Sequence, residues 1–511
     1  MFELEVGLKN ESYKYAYGVN SISEEYGKLT SENIRFITAR NDWAAFQILL
    51  LANEEFILST GGNPVFSPRG QLETIRLNVA VESFSNDLIQ LNLIGLIEDD
   101  DRILKADILL HDEALTVEKN RVQPVWAEIS VAPEIKAGLY NGCILIYRHK
   151  MFEDEKLIEQ IPFTLRVEDV RLPDPKEYHF YLDLWQHLSN ISRKHEVKLF
   201  SEAHFKVIES YVKSLSLLGQ KTITAIVSEI PWSGQRSFST RNYLSDFFEY
   251  SMIKVVKKQN GEFFYDFTAL TRYIELCMSY HICSEIEVFG LFNIWVFENE
   301  GYGKAAEDYP DAIRIRYFDE KDKCYKFIKT KNEIIEYIKE LEAYFIKNNL
   351  IDIVRVVADE PSDMGLYQER IKLLKETAPK FKYKTAINHV EFINEAKDYN
   401  TDFVPALNCA FEKWELLKTV KNHISGRLLW YVCCVPDFPN TFIKSPLLES
   451  RLIGLISAYL DLEGFLRWNY TAWPEKPREK ICYRYPEWKA GDTNFVYPAN
   501  DGTLLLTLRY K

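Results

Sequence analysis

The stretch DIVRVVADEP, residues 352–361, is an apolar strand-like run that ends in two carboxylates and a proline. A similar run, SEIEVFGLF at 284–292, precedes it, and KYKTAIN at 382–388 follows it, with helical segments in between. Apolar strands that alternate with amphipathic helices indicate parallel β-α units. The region from residue 178 onward therefore predicts an α/β fold.

Eight strands of this kind can be counted in that region. Besides the three quoted above, they are YHFYLDLW (178–185), KTITAIV (221–227), DFVPALN (402–408), RLLWYVCC (427–434) and EGFLRWNY (463–470). Segments such as KNEIIEYIKELEAYFIKN carry apolar residues at helical spacing between them. The alternation predicts a (β/α)8, TIM-like barrel, and its last helix is predicted to be missing because no clear helix follows the eighth strand.

The N-terminal third of the chain has a different pattern. Short runs of alternating apolar and polar residues, such as ETIRLNVAV, WAEISVA and GCILIYR, are separated by polar or Gly/Pro turns. This pattern is typical of an antiparallel β-sandwich. Pro173 and Pro175 mark a linker, so we predict a sandwich domain at 1–172 and a barrel domain at 173–511.

Composition and charge narrow the class of protein. With 47% hydrophobic residues the chain can bury sizeable cores, and its formal net charge of −13 argues against nucleic acid as a partner. The N-terminus lacks a basic segment leading into an apolar run, and no stretch of about 20 apolar residues could span a bilayer. We therefore predict a cytoplasmic protein without a membrane partner, and homo-oligomerisation stays open.

The cysteines and histidines indicate no metal centre. The eight cysteines are scattered without metal-ligand spacing, which predicts free thiols. Cys433 and Cys434 are adjacent in the apolar run RLLWYVCCV, where buried thiols act as small hydrophobes. No phosphate loop or dinucleotide fingerprint occurs, so neither a metal nor a cofactor is predicted.

Two carboxylates are the strongest candidates for chemistry. Active sites of (β/α)8 barrels lie at the C-terminal ends of the strands, where Asp359 and Glu360 end the fourth strand. Burying two carboxylates is costly unless they are hydrogen-bonded or exposed in a cleft. A catalytic pair and a charged cap of the following helix explain the dipeptide about equally well.

Aromatic residues at or just beyond the strand ends favour a carbohydrate cleft, because indole faces stack on the C–H faces of sugars. They are Trp185, Trp295, Trp430, Trp468 and Trp473. For any single tryptophan, packing in the core is the competing explanation. His187 and His389 also fall near strand ends, as hydrogen-bonding groups rather than metal ligands.

Several longer segments carry a family resemblance. They are FYLDLWQHLSNISRKHEVKLFSEAHF, the GQK of 219–221, the ADEP of 358–361, the PNTF of 439–442 with Pro446, Glu449 and Arg451, and GDTNFVYPANDG at 491–502. They resemble glycoside hydrolase family 123, which comprises β-N-acetylgalactosaminidases and uncharacterised bacterial relatives with an N-terminal β-sandwich and a barrel. Chains of that family usually continue past the segment matching TLRYK into a closing helix.

The resemblance implies substrate-assisted hydrolysis by an adjacent Asp-Glu pair, matched here by Asp359 and Glu360. Glu360 would be the general acid/base. Asp359 would orient the substrate's 2-acetamido group, whose carbonyl oxygen attacks the anomeric carbon, and would stabilise the oxazolinium intermediate. Because neighbouring side chains of a regular strand point to opposite faces, the strand must bend for both carboxylates to reach one sugar.

The expected function is that of a retaining exo-glycosidase acting on terminal β-linked N-acetylgalactosamine of small oligosaccharides. One alternative is a glycosidase of the same fold for another sugar, in which Asp359 or Glu360 pairs with another carboxylate such as Asp183 or Glu229. The other alternative is a carbohydrate-binding protein that has lost activity.

Overall fold

The computed structural model describes residues 2–18, 34–64, 72–150, 153–231, 248–292, 304–389, 391–468, 470–473, 476–478 and 488–511. It divides into two compact units. The first comprises Met1–Asp174, Ile443–Leu448 and Leu505–Lys511, and the second comprises Pro175–Phe442 and Glu449–Leu504. The division into a sandwich domain at 1–172 and a barrel domain at 173–511 stays a prediction.

Two sheets build the first unit, which confirms a large β-rich N-terminal region. One is antiparallel, with strands in the order Leu4–Asn10, Asp42–Ala52, Gln123–Val131, Ile89–Glu98 and Leu104–Leu109. The other has the order Arg35–Arg40, Lys156–Arg171, Gly138–His149, Glu73–Val81, Phe56–Ser59 and Ala114–Val117. Two pairs of the second sheet are parallel, namely its first two strands and Glu73–Val81 with Phe56–Ser59.

The core of the first unit follows from period-two alternation. In the strand Glu73–Val81, the side chains of Ile75, Leu77, Val79 and Val81 are all buried in one cluster to which both sheets contribute. Burying each such side chain is worth about 1.5–3 kcal/mol. The alternating pattern of the sequence is therefore what holds the two sheets together.

The last residues of the chain belong to the first unit. Arg509 Nε donates to Asp107 Oδ1 at 2.8 Å with both side chains buried, and Leu109 N donates to Leu506 O at 2.9 Å. Residues 505–511, which the sequence pattern assigned to the barrel domain, thus pair with the β-rich unit instead.

Eight short strands of the second unit pair in parallel. Five form one sheet in the order Thr222–Ile226, Glu285–Phe289, Val354–Asp359, Lys382–Ile387 and Asp402–Pro405. Three form another in the order Tyr181–Leu184, Gly464–Arg467 and Trp430–Tyr431. Isolated parallel bridges connect Leu182 with Gln220, Phe403 with Leu428, and Ala406 with Tyr431.

Helices occupy the intervals between consecutive parallel strands, as the apolar spacing predicted. They are Leu188–Lys194, Glu202–Leu217, Thr268–Ser279, Lys331–Lys347, Met364–Thr377, Phe392–Ala396, Leu407–Glu412, Trp414–His423 and Leu448–Tyr459. In the residues described after the strand Gly464–Arg467 there is no further helix. None of the described helices combines the length and the apolar character needed to cross a bilayer.

Additional short strands lie in the connections of the second unit and near the C-terminus. They are Ile230–Pro231, Phe248–Glu249, Lys254–Lys257, Phe263–Asp266, Arg316–Asp319, Cys324–Phe327, Tyr497–Pro498 and Leu504–Leu505.

A buried charge cluster crosses the interior of the second unit. Lys384 Nζ lies 2.5 Å from Asp183 Oδ2, 3.0 Å from Glu285 Oε1 and 2.7 Å from Glu287 Oε1, and all four side chains are buried. Burial, with the nearby negative charge of Asp183, raises the pKa of Glu287 well above its usual range. Asp183, Glu285 and Glu287 are thus all within ion-pair distance of Lys384.

Candidate active site

A cavity of about 340 Å³ lies at the C-terminal ends of the parallel strands of the second unit. Its volume is at the lower end of the usual range of ~300–1,000 Å³ for small-molecule sites. The lining residues at or just beyond strand ends are Trp185, Asp359, Glu360, Ala386, Asn388, Ala406, Tyr431, Leu466 and Trp468. The strand ends therefore converge on one concave surface.

Asp359 and Glu360 both line this cavity. Asp359 is the last residue of the strand Val354–Asp359, and Glu360 has a φ of 45°, in the left-handed region that residues other than glycine rarely adopt. A hydrogen bond of 3.1 Å from Glu360 N to Ala386 O holds this turn. The backbone thus leaves the extended conformation at Glu360, and the side chains of both Asp359 and Glu360 line the cavity.

The cap of the next helix is a different residue. The helix Met364–Thr377 begins after Asp363, whose side chain accepts a hydrogen bond from Leu366 N at 3.0 Å. Asp359 and Glu360 lie ahead of that cap and face the cavity instead. Helix capping therefore does not account for the two carboxylates.

Electrostatics within the pair favour retention of a proton. Burial, with the negative charge of Glu360 as the second cause, raises the pKa of Asp359 well above its ordinary value of 3.8. The Tyr431 hydroxyl donates a short hydrogen bond to Glu360 Oε1. The negative charge of Glu360 thus affects the protonation of Asp359, so the protonation states of the two groups depend on each other.

We predict that Asp359→Asn changes how stability depends on pH. Because the folded-state pKa of Asp359 is raised, the folded protein binds more protons than the unfolded chain. The associated stabilisation is present below the ordinary pKa of 3.8 and is lost as the pH rises through the folded value. Asparagine cannot ionise. The melting temperature of the variant should therefore rise relative to that of the wild type as the pH increases toward neutrality. Parallel melting-temperature curves for the two proteins would contradict the raised pKa.

Comparison with known families identifies the second unit. The family model for the glycoside hydrolase 123 catalytic domain matches residues 185–511, which is more than half of the chain. The chain belongs to glycoside hydrolase family 123. The resemblance seen in the sequence is confirmed, and the protein is a glycoside hydrolase.

Solved structures agree with this assignment at the level of the fold. A family 123 glycoside hydrolase from Clostridium perfringens, studied for glycolipid glycan hydrolysis, is similar with a TM-score of 0.76 and 20% identity. The match covers 100% of this chain and 86% of that chain. A β-D-glucuronidase from Dictyoglomus thermophilum has a TM-score of 0.29 and 10% identity over 86% of this chain and 61% of its own, too low to support an argument. No curated protein matches the chain.

Two of the predicted sugar-binding tryptophans of this family 123 hydrolase line the cavity. Trp185 borders the cavity but is only 1% exposed, and it packs edge-on against Phe289 with ring centroids 4.8 Å apart. The indole N–H of Trp468, which is half-buried, donates to Asp492 Oδ1 at 3.3 Å. Trp295 lies outside the described residues.

Trp430 and Trp473 are fully buried and are not part of the cavity wall. Trp430 Nε1 donates to Ser457 Oγ at 2.7 Å, and Trp473 Nε1 donates to Val496 O at 2.7 Å. The expectation that Trp430 contacts sugar is thereby corrected. Neighbouring residues of a strand face opposite sides, and Tyr431 takes the position facing the cavity.

The two kinds of tryptophan should respond differently to truncation. Trp430→Ala should lower the free energy of unfolding by about 3–5 kcal/mol, because it leaves a large hole in the core. Trp468→Ala should mainly raise KM or lower kcat at a nearly unchanged melting temperature. Thermal unfolding and steady-state kinetics of both variants check this, and the same stability loss in both would contradict the difference in position.

The predicted histidines of the hydrolase do not line the cavity. His187 is buried just before the helix Leu188–Lys194, and burial, aided by the charge of Arg193, lowers its pKa well below 6.5. His389 is half-buried, with Nδ1 at 3.2 Å from Glu391 Oε1. His187 is therefore a neutral interior group, and the polar contact of His389 is to its own loop.

Several cavity residues were not anticipated from the sequence. They are Asn388, Ala406, Asn408, Tyr431, Cys433, Cys434, Trp488 and Asp492. Asp492 is fully buried with Oδ1 at 2.7 Å from Arg467 Nη2, and burial raises its pKa against the opposing charge of Arg467. It belongs to the family-like segment GDTNFVYPANDG, which was the available signal.

The carboxylates proposed as alternative partners lie elsewhere in the hydrolase. Asp183 is bound to Lys384 and accepts from Thr222 Oγ1 at 2.7 Å, and Glu229 lies 2.6 Å from Arg316 Nε. Neither lines the cavity. Within the described residues, no group of three or more His, Cys, Asp or Glu side chains is arranged to hold a metal ion.

Proposed function

We propose that this family 123 hydrolase is a retaining exo-glycosidase that removes terminal β-linked N-acetylgalactosamine by substrate-assisted catalysis. The observation that carries the proposal is the placement of Asp359 and Glu360, as sequence neighbours, in one cavity at the strand ends. Asp492 also lines the cavity, but its carboxylate is held by Arg467 and Trp468. A pair on one side of the sugar suits a mechanism in which the substrate supplies the nucleophile.

The proton that the carboxyl pair retains gives each group its role. An acetamido N–H donating to Asp359 favours the anionic form of that residue, which leaves the proton on Glu360. Glu360 then protonates the glycosidic oxygen while the acetamido carbonyl oxygen bonds to the anomeric carbon and the bond to the leaving group breaks. The charge of Asp359 stabilises the oxazolinium ion. In the second step Glu360 takes a proton from the water that opens the ring, with net retention.

The cavity wall suits one sugar residue. The indole of the half-buried Trp468 offers an apolar face for C–H groups, whereas Trp185 and Trp488 border the cavity but are largely buried. The side chains of Asn388 and Asn408 offer both donors and acceptors for hydroxyl groups. A mainly apolar wall with a few polar groups is the usual composition of a specific small-ligand site.

We also propose that the eight parallel strands form a (β/α)8 barrel, and that this barrel and the β-sandwich are separate domains divided at residues 172 and 173, except that residues 505–511 pair with the β-rich unit. The bridges at Leu182–Gln220, Phe403–Leu428 and Ala406–Tyr431 support the barrel, because they connect the two parallel sheets at both of their junctions. The position of the cavity at the strand ends agrees with the usual place of a barrel active site.

The substrate class is a short glycan ending in β-linked N-acetylgalactosamine. The Clostridium perfringens relative was studied for glycolipid glycan hydrolysis, so the glycan of a glycolipid is one form to test. The cysteines of the described residues are free thiols, which supports a reducing, cytoplasmic environment and hence small imported oligosaccharides.

A panel of aryl glycosides tests the proposed specificity. The β-N-acetylgalactosaminide should be hydrolysed fastest, ahead of the β-N-acetylglucosaminide, the β-galactoside and the β-glucoside. Preference for a sugar without the acetamido group would favour the alternative glycosidase. Binding of N-acetylgalactosamine without turnover of any aryl glycoside would favour the inactive carbohydrate-binding protein.

We predict that Tyr431→Phe lowers kcat by about ten- to a hundredfold, the equivalent of one hydrogen bond to a charged group. The ring stays, but Glu360 loses the hydroxyl that orients it. The pH profile of kcat should shift as well, which a purely structural role would not produce. Tyr383→Phe, at a buried tyrosine outside the cavity, is the matched control and should keep wild-type kinetics.

A further inference from the structure

Two adjacent thiols line the cavity that holds the carboxylate pair. The Sγ atoms of Cys433 and Cys434 lie 3.7 Å apart, and both side chains are half-buried. The apolar run around them predicted thiols buried as small hydrophobes. Only Val432 separates the end of the strand Trp430–Tyr431 from Cys433, however, and both cysteines line the cavity.

Hydrogen bonds fix the backbone that carries the thiols. Asn440 Nδ2 donates to Cys433 O at 2.9 Å and to Pro436 O at 2.6 Å, and Arg467 Nη1 donates to Asn440 Oδ1 at 2.8 Å. Asn440 and Arg467 are both buried. The backbone around the two thiols is therefore held in place by hydrogen bonds to buried side chains.

The spacing of the sulfurs suits one atom bonded to both. Two bonds of about 2.3 Å to one central atom can join sulfurs that lie less than ~4.6 Å apart. The observed separation is 3.7 Å. In addition, the hydrogen bond from the Cys433 thiol lowers the pKa of Cys434, which favours the reactive thiolate there.

We propose that Cys433 and Cys434 form a dithiol site that binds trivalent organoarsenicals. The arsenic atom bonds to both sulfurs, and the bound compound blocks the cavity. In the reaction two S–H bonds break, two As–S bonds form, and the arsenic-bound oxygen leaves as water, with no change in oxidation state. Tyr431 and Glu360 line the same cavity as the two thiols. The blocking effect rests on the proposed function of this cavity, whereas binding to the thiols does not.

Phenylarsine oxide tests the site on the full-length protein with two readouts. Intact-mass measurement should show one phenylarsine bound per chain at one equivalent, and turnover of the aryl β-N-acetylgalactosaminide should be lost. Dithiothreitol should restore turnover, and the monothiol glutathione should not. Cys433→Ser and Cys434→Ser should each abolish the bound mass and the loss of turnover, with every variant compared with its own untreated sample.

Cys324→Ser is the matched control, because Cys324 is an exposed single thiol. It should bind the reagent and lose turnover as the wild type does. If a variant fails to fold, a measurement on the wild type takes its place. After treatment with phenylarsine oxide, the wild-type peptide containing Cys433 and Cys434 should be protected from alkylation by iodoacetamide. Absence of bound arsenic, or unchanged binding in Cys434→Ser, would overturn the dithiol site. Binding to the pair with undiminished turnover would overturn the blocking effect and count against this cavity as the active site.

Discussion

Glu360→Gln should lower kcat/KM by roughly 10²–10⁴-fold on substrates with poor leaving groups, the usual contribution of a general acid. Glutamine keeps the shape of the side chain and its contact with Tyr431 but cannot donate a proton to the glycosidic oxygen. An oligosaccharide or alkyl glycoside needs that proton most. A dinitrophenyl glycoside needs it least and should retain much more of its kcat/KM.

The parameter kcat/KM is the right measure, because it reports the steps up to the first irreversible bond cleavage. Glu391→Gln is a matched control, since Glu391 is exposed and outside the cavity. It should behave as the wild type on every substrate. Equal losses in Glu360→Gln for activated and unactivated leaving groups would be incompatible with an acid role for Glu360.

Asp359→Asn should lower kcat by roughly 10²–10³-fold, because an amide keeps the hydrogen-bonding shape but removes the charge that stabilises the oxazolinium ion. A thiazoline analogue of that ion should inhibit the wild type competitively and bind much more weakly to the variant. The melting temperature at neutral pH should not fall, because the buried carboxyl with the raised pKa is replaced by a neutral group.

Asp363→Asn provides the control for this prediction. Asp363 caps the helix Met364–Thr377, and asparagine caps as well as aspartate does, so the variant should keep both activity and stability. Unchanged thiazoline affinity in Asp359→Asn would show that Asp359 does not face the charged intermediate.

The strands of the second unit were predictable because they are continuous apolar runs. Each of the eight predicted runs contains one observed parallel strand, for example Val354–Asp359 within 352–360. Strands buried on both faces carry no alternation, however, so the pattern does not tell which face a residue takes. For this reason the sequence pattern predicted Trp430 at the cavity, whereas Tyr431 lines it and Trp430 is buried.

The carboxylate pair could be found because a strand end is a position that the pattern reveals. Residues that reach the cavity from irregular segments carry no such mark. Asp492 lies 25 residues beyond the end of the strand Gly464–Arg467 and comes to the site through its pairing with Arg467. Cys433 and Cys434 were interpreted as buried because the apolar run continues through them, whereas the strand itself ends at Tyr431.

The most direct measurement of the central claim is the dependence of kcat on the nucleophilicity of the substrate's own acyl group. Aryl β-galactosaminides bearing acetyl, fluoroacetyl, difluoroacetyl and trifluoroacetyl groups on nitrogen differ little in size, while each fluorine withdraws electrons from the carbonyl oxygen. Substrate-assisted catalysis predicts that kcat falls steeply and monotonically along the series, because that oxygen forms the new bond. A kcat that stays constant across the four substrates would contradict the account, since a protein carboxylate or water would then be the nucleophile.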